Sequence, residues 1–437
     1  MLLLTMLITL VVPAQPATAG ASVTAHISSL TPALPTPDTR VELAVEVSNP
    51  TPQVLENLSA TFIVSVAPLV GRSQIPAAIG GKWLPTYRTI GAPAASGLSL
   101  ASGASTVLTL TTTMRDVALS SSRPGVYIFG VNLQGRLGND NVTLHPTTLL
   151  SWAPQASAAR LNVLTVWTLT APPAFGVDGV MLNDSLSKSL LTGGRLREQL
   201  TAMSNVAPAL WLIDPLLVES VQSIAHGARI RDGAGDIRAA SDAESEAAST
   251  WLQDLRTAVS TGEVAAIPVG DFDVRAALKF GRNTLIRNAI GDAPKRLAAA
   301  LQLTDTPTLA VPLYGGPIST SAWQLLSHLG VNIAITSDLG YPATQSTYTP
   351  TTALSVNGFS GHAFVADLAI AQAPVQSDPL QARQQFAAEL LMTSLERPND
   401  GRVITAAVDP EWRPTAASSL ANVLNAPWIH RVTTSQA

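Results

Sequence analysis

Five apolar runs in this sequence end on an acid or a tyrosine, and these are the residues whose chemistry could act on a substrate. Asp214 follows Leu212-Ile213, Asp271 and Asp273 follow Pro268-Val269-Gly270, and Tyr314 follows Pro312-Leu313. Asp338 follows Thr336-Ser337, and Asp409 with Glu411 follows Ala406-Ala407-Val408. Two carboxyl groups held about 5 to 9.5 Å apart can cleave a glycosidic bond, one as acid and the other as base or nucleophile. Asp271 and Asp273 stand two residues apart, so an extended backbone puts them on one side with Cα atoms ~6.6 Å apart. They are the candidate catalytic pair. Asp214, Tyr314, Asp338, Asp409, Glu411 and Trp412 are the candidate substrate contacts. His362 joins them, because Gly358-Phe359-Ser360-Gly361-His362 reads as a loop able to reach the same place.

The same acids also have a structural reading. Asp214-Pro215, Asp409-Pro410 and Asp273-Val274 each set Asp just before a helix-compatible run, where a carboxylate accepts from the free N–H groups of a first turn. If Asp273 is a cap, Asp271 is the acid left for other work. Asp338 before Leu339-Gly340 fits an Asx turn. Tyr314, before Gly315-Gly316-Pro317, either aims its phenol inward or covers the end of the strands.

Composition narrows the chemistry further. Of the 437 residues, 46% are hydrophobic and 13% are charged, which excludes a disordered chain or a coiled coil. A net charge of −4 supplies no electrostatic footprint for nucleic acid. With no cysteine there is no disulfide framework, thiol nucleophile or thiolate metal site. The six histidines, at 26, 145, 226, 328, 362 and 430, include no i, i+3 or i, i+4 pair, so a helical two-His zinc site is absent. No Gly-x-Ser-x-Gly elbow occurs. Neither a metal nor a cofactor is expected, and any chemistry rests on carboxylates, tyrosine or isolated histidines.

The elements that must position these residues fall into two regions. Met1–Val12 is an apolar run broken only by Thr5 and Thr9, followed by Ala17-Thr18-Ala19, which reads as a signal peptide over residues 1–19 and an extracytoplasmic protein. Arg40 is the first Lys or Arg, so the cationic start usual for such a segment is missing. Val41, Leu43, Val45 and Val47 then alternate with polar or small residues, and Leu58, Ala60, Phe62, Val64 and Val66 repeat the alternation on a second strand, the period of half-buried strands. Strand-like runs recur at 106–114, 126–133 and 142–152, which predicts an all-β, immunoglobulin-like sandwich over 20–153. The insertion 71–103, with Trp83, reads as an extended loop.

Residues 154–160 form an Ala/Ser/Pro linker, after which strands and helices alternate through 161–437. Strands are expected at 163–170, 209–213, 264–269, 308–313, 331–336, 363–368 and 402–408. Helices are expected at 186–203, 242–259, 274–280, 319–329 and 380–395. Such alternation implies parallel βαβ units, and seven strands without a Gly-x-Gly-x-x-Gly fit a closed or nearly closed, TIM-like α/β barrel. In that fold the chemistry collects at the C-terminal ends of the strands, where the acids above stand.

Three stretches carry a family resemblance. These are Thr192-Gly193-Gly194-Arg195-Leu196 with Trp211-Leu212-Ile213-Asp214-Pro215-Leu216-Leu217, then Ile267–Leu278, and 385–412 ending in Asp409-Pro410-Glu411-Trp412, with Pro427-Trp428 beyond. Across 160–430 they resemble an uncharacterised family of actinobacterial secreted or membrane-anchored envelope proteins. The resemblance implies an immunoglobulin-like domain before a barrel similar to glycoside hydrolases and polysaccharide deacetylases. It also implies a role in envelope biology, since members are often encoded beside the lipid II flippase. This chain has Val269 where the family usually has Tyr and Phe272 where it usually has Pro, and it lacks the metal-binding pattern of true deacetylases.

Two functions follow. The first is an exported envelope protein with a degenerate carbohydrate-active barrel that binds cell-wall polysaccharide, peptidoglycan or a membrane envelope-biogenesis partner. The alternative is a glycoside-hydrolase-like enzyme acting through paired carboxylates. The first is preferred, because no complete catalytic set can be assembled from the sequence.

Overall fold

A computed structural model describes residues 22–81, 85–117, 119, 123–153, 160–232, 235–340, 349, 352–397, 401–415 and 419–437. The expected signal segment, Trp83 and residues 154–159 of the expected linker lie outside them. The chain divides into two compact units, one made of residues 1–155 with 383–395, the other of 156–382 with 396–437.

The first unit is a β domain of two antiparallel sheets. Its strands are β1 (Thr24–Thr31), β2 (Arg40–Asn49), β3 (Leu55–Ser65), β4 (Tyr87–Leu100), β5 (Ala104–Thr113), β6 (Gly125–Leu137), β7 (Asp140–Leu144) and β8 (Thr147–Trp152). One sheet runs β1-β2-β5 and the other β4-β3-β6-β7, with β8 beside β7 on the same edge of β6. The alternation that marks β2 buries Val41, Leu43, Val45 and Val47 on one face. His145-Pro146 separates β7 from β8. The Pro146 carbonyl accepts from Val131 at 3.1 Å, and Gly130 packs so tightly against that carbonyl that a Cβ has no room.

Residues 71–103 are not one extended loop. They hold a short helix, Ile75–Ile79, and the long strand β4. Only Ile90 and Leu100 of β4 are buried, so no alternation marks it, and its register comes from hydrogen bonding to β3. Helix residues 383–395 also belong to this unit, where Glu389 pairs with Arg72 at 2.6 Å.

The second unit holds β9 (Leu161–Leu169), β10 (Leu210–Ile213), a small hairpin of β11 (Arg229–Arg231) and β12 (Ile237–Ala239), β13 (Glu263–Ala266), β14 (Thr308–Leu313), β15 (Ile333–Ser337), β16 (Ala353–Leu354), β17 (His362–Ala366), β18 (Val403–Val408) and β19 (Ile429–Arg431). Seven of these, β9, β10, β13, β14, β15, β17 and β18, are parallel, and β18 and β10 both pair with β9, which closes the ring. Buried both inside the ring and against helices, these strands are continuous apolar runs, with all six residues of β18 buried. The sequence does not reveal β19. It pairs with β9 at Asn162 on the edge opposite β18, below the point where β10 takes over that edge.

The expected helix 186–203 is two helices, Ser185–Leu190 and Arg195–Met203, broken where Gly193 takes φ +80°. Helix Asp242–Val259 starts where the acidic residues predict. Ser241 and Glu244 form a reciprocal capping box there, and Glu244 also takes both arms of Arg238, at 2.6 and 2.9 Å. No helix among the described residues is long and apolar enough to cross a membrane.

Candidate functional site

Strand parity decides which side chains line the mouth of the barrel. Leu164 and Val166 of β9, Leu210 and Leu212 of β10, Ala310 of β14 and Ala407 of β18 belong to one apolar cluster that fills the ring. Side chains two residues further along share that facing. Stepping up from the cluster gives Thr168, Thr170, Asp214, Tyr314 and Asp409, so the upper layer of the barrel turns from apolar to polar at the C-terminal ends of the strands.

Asp214 is fully buried in this layer. Its Oδ1 caps the following helix by accepting from Leu216 at 2.9 Å, and accepts from Gly270 at 3.0 Å. Its Oδ2 is buried without a partner. Burial pushes the carboxyl up to about 6, the two N–H donors pull the other way, and neighbouring Asp271 adds to the rise.

Asp271 sits on the turn that Asp214 holds. Gly270 and Asp271 both take left-handed backbone, at φ +77° and +53°. Aspartate tolerates that region better than most residues, and the turn brings its exposed side chain back toward the strand ends. The surrounding protein strips enough water from the carboxyl to raise its pKa. The Thr170 hydroxyl opposes the rise, Glu411 and Asp273 reinforce it, and Arg195 works against it.

Asp271 and Glu411 therefore form the nearby exposed acid pair, from the ends of β13 and β18, with Arg195 beside both. Asp273 is engaged as a helix cap, accepting from Ala276 at 2.8 Å. Asp409 spends its Oδ1 on the N–H of Glu411 at 2.8 Å, which shapes the turn presenting Glu411.

Arg195 was not singled out as a site residue by its sequence. It starts the helix after Gly194 and donates to the carbonyls of Pro410 at 2.6 Å and Thr170 at 3.1 Å, while burial lowers its pKa. Its only sequence signal is the Thr192-Gly193-Gly194-Arg195 motif. A Cβ at Gly194 meets the Lys188 and Ser189 carbonyls at 2.5 Å, so this approach of the helix start needs glycine.

Tyr314 turns inward. β14 and β9 lie on opposite sides of the seven-strand ring, yet the phenol faces the Thr168 hydroxyl, short of a hydrogen bond, so the side chain extends across the mouth. The residue keeps 38% of its surface exposed while its hydroxyl is enclosed, and that enclosure raises its pKa. Arg275 donates to the Tyr314 and Gly316 carbonyls at 3.3 and 2.7 Å, and Ser337 and Gly315 exchange hydrogen bonds, so the loop is fastened from two neighbouring strand ends.

The remaining candidates are placed differently. Asp338 opens a short 3-10 turn at the end of β15, with its Oδ1 accepting from Leu339 at 3.1 Å. Trp412 is buried and stacked on Trp167 at 6.1 Å between centroids, so it forms wall rather than contact surface. His362 is the first residue of β17, opposite Ile333 at the start of β15. It stands at the N-terminal end of the barrel, away from the mouth, because the loop before a strand and the loop after it open on opposite faces. Among the described residues, no three or more His, Asp or Glu are grouped to hold a metal ion.

Residues 1–434 match the model of a family of unknown function, DUF6049. No curated protein matches the sequence. Among solved structures the chain is similar to the alpha-amylase AmyC from Thermotoga maritima, at a TM-score of 0.39 and 10% identity over 63% of this chain and 74% of that one. It is also similar to the 4-alpha-glucanotransferase from Thermococcus litoralis, at 0.39 and 11% over 63% of this chain and 37% of that one. A third similarity is to the sporulation control protein Spo0M from Bacillus subtilis, at 0.22 and 11% over 31% of this chain and 51% of that one.

Proposed function

As the chain belongs to DUF6049, a family of unknown function, its reading rests on its own site, and we propose that the barrel mouth binds a carbohydrate chain of the cell envelope. The observation that carries this is the grouping of exposed Asp271 and Glu411 with Arg195 around a polar upper layer, while the Oδ1 atoms of Asp214, Asp273 and Asp409 are taken by backbone N–H groups. Carboxylates accept from sugar hydroxyls and a guanidinium donates to them, and a few such groups in a concave site fix the orientation of a ligand. In this reading the segment 1–19 directs export and the β domain is an immunoglobulin-like spacer. The partner is cell-wall polysaccharide, peptidoglycan or a membrane envelope-biogenesis protein.

A second reading is favoured by one feature. Asp271 has a raised pKa beside a second carboxylate, which is how a glycosidase separates its acid from its base. The pair is then Asp271 with Glu411 rather than Asp271 with Asp273.

The test is calorimetric titration of peptidoglycan and arabinogalactan fragments into wild type, Asp271→Asn and Glu411→Gln, with product analysis. Binding that weakens in both variants without product supports a binding mouth. Product from wild type and none from Asp271→Asn supports the hydrolase, and wild type that binds neither fragment overturns both readings.

A further inference from the structure

Beneath the exposed acids, three neighbouring side chains each keep one buried oxygen that makes no hydrogen bond. Thr168 and Thr170 keep 4% of their surface exposed and Asp214 keeps none; Asp214 Oδ2 is buried without a partner, and Thr168 Oγ1 and Thr170 Oγ1, buried as well, face the Tyr314 phenol and the Asp271 carboxyl without coming within hydrogen-bond distance of either. They form one patch. Leu212 pairs with Thr168 and Ile213 with Leu169, and the Asp214 N–H donates to the Leu169 carbonyl at 3.1 Å, so the next step of the register sets Asp214 beside Thr170. All three face inward by strand parity, immediately above the apolar filling of the barrel. Buried polar groups in folded proteins are almost always satisfied, and an unsatisfied one is destabilising. Three together, at the end of the barrel where loops converge, mark a place for a polar occupant. Tyr314 stands over Thr168 and Asp271 over Thr170, and both covering residues are exposed and belong to loops rather than to the ring.

We propose that Thr168, Thr170 and Asp214 form the subsite for the terminal sugar residue of a bound glycan, whose adjacent hydroxyls supply the hydrogen bonds these side chains lack. The proposal rests on the carbohydrate-binding reading and adds to it a position and a direction. The apolar filling closes the barrel below, so a chain end rather than the middle of a chain enters the mouth. A threonine hydroxyl both donates and accepts, and the free carboxyl oxygen of Asp214 accepts from a sugar hydroxyl. Glu411 and Arg195, nearer the rim, then meet the next residues of the chain.

Thr168→Val and Thr170→Val test this, because valine keeps the shape and removes the hydroxyl. Peptidoglycan and arabinogalactan fragments are titrated into wild type and both variants, and the melting temperature of each free protein is recorded. The expected result is an affinity loss of about tenfold in either variant for the fragment that wild type binds, with an unchanged or higher melting temperature. Thr170→Ser is expected to restore binding. Unchanged affinity in both variants, or weaker affinity accompanied by a lower melting temperature, overturns the subsite while leaving the carbohydrate reading intact. Failure of wild type to bind either fragment removes both.

Discussion

The Oδ1 atom of Asp214 accepts a hydrogen bond from the backbone N–H of Gly270 at 3.0 Å, which fastens the end of β10 to the turn that carries Asp271. A buried acid on one strand thus sets the position of an exposed acid on the next.

The Asp214 carboxyl is raised by burial from 3.8 to about 6. A carboxyl with a raised folded-state pKa favours the native state in its protonated form. Its contribution is full below about pH 4 and is lost as pH rises through about 6. The rise corresponds to about 3 kcal/mol. Denaturant titrations at pH 4 and pH 7 are expected to show Asp214→Asn gaining about 2–3 kcal/mol on wild type across that interval. A stability difference that stays constant with pH refutes this role.

Glu244 behaves in the opposite sense. The Arg238 guanidinium, with Ser187 and Ser241 donating as well, holds its carboxyl far below the usual range. Its stabilisation is present above the ordinary glutamate pKa and is lost as pH falls through the depressed one. Glu244→Gln is expected to lower stability by roughly 1–3 kcal/mol at pH 7, with the deficit shrinking in acid. Chemical unfolding of both proteins from pH 7 down to pH 3 measures it.

Asp273 and Asp271 separate a capping acid from a site acid. Asp273→Ala is expected to cost about 1 kcal/mol through loss of its bond to the Ala276 N–H, with glycan binding retained. Asp271→Asn is expected to leave the melting temperature nearly unchanged and to weaken binding. The reverse pattern in paired melting and titration experiments assigns the site to Asp273.

Gly130 is expected to resist substitution. A Cβ there collides with the Pro146 carbonyl and reaches Thr147 Cα at 2.9 Å, where β8 begins. Gly130→Ala is expected to destabilise by roughly 1–3 kcal/mol, the usual range for overpacking. Equal unfolding midpoints for variant and wild type contradict the tight approach.

Much of the barrel was legible because its signal is local. Runs of β-branched and aliphatic residues stopped by Asp-Pro or Gly-Asp mark parallel strands buried on both faces, and all seven ring strands lie within a few residues of the expected positions. Capping was legible at Asp214 and Asp273 for the same reason, since the cap and the N–H it serves are two or three residues apart. β4 was not legible, because an edge strand with two buried residues carries no alternation and exists through its pairing with β3. β19 was hidden too, as three residues alongside the start of β9.

The sequence by itself determined that acids and a tyrosine stand at strand ends, because hydrophobic period and cap chemistry are properties of neighbouring residues. Which of them share a site was decided only by the tertiary structure. Ring closure brought Asp271 of one strand end to Glu411 of another, sent His362 to the opposite face, folded Trp412 onto Trp167, and introduced Arg195 from a helix whose motif names no chemistry. Proximity across the mouth depends on register and strand parity around a closed ring, and neither is written in any one segment.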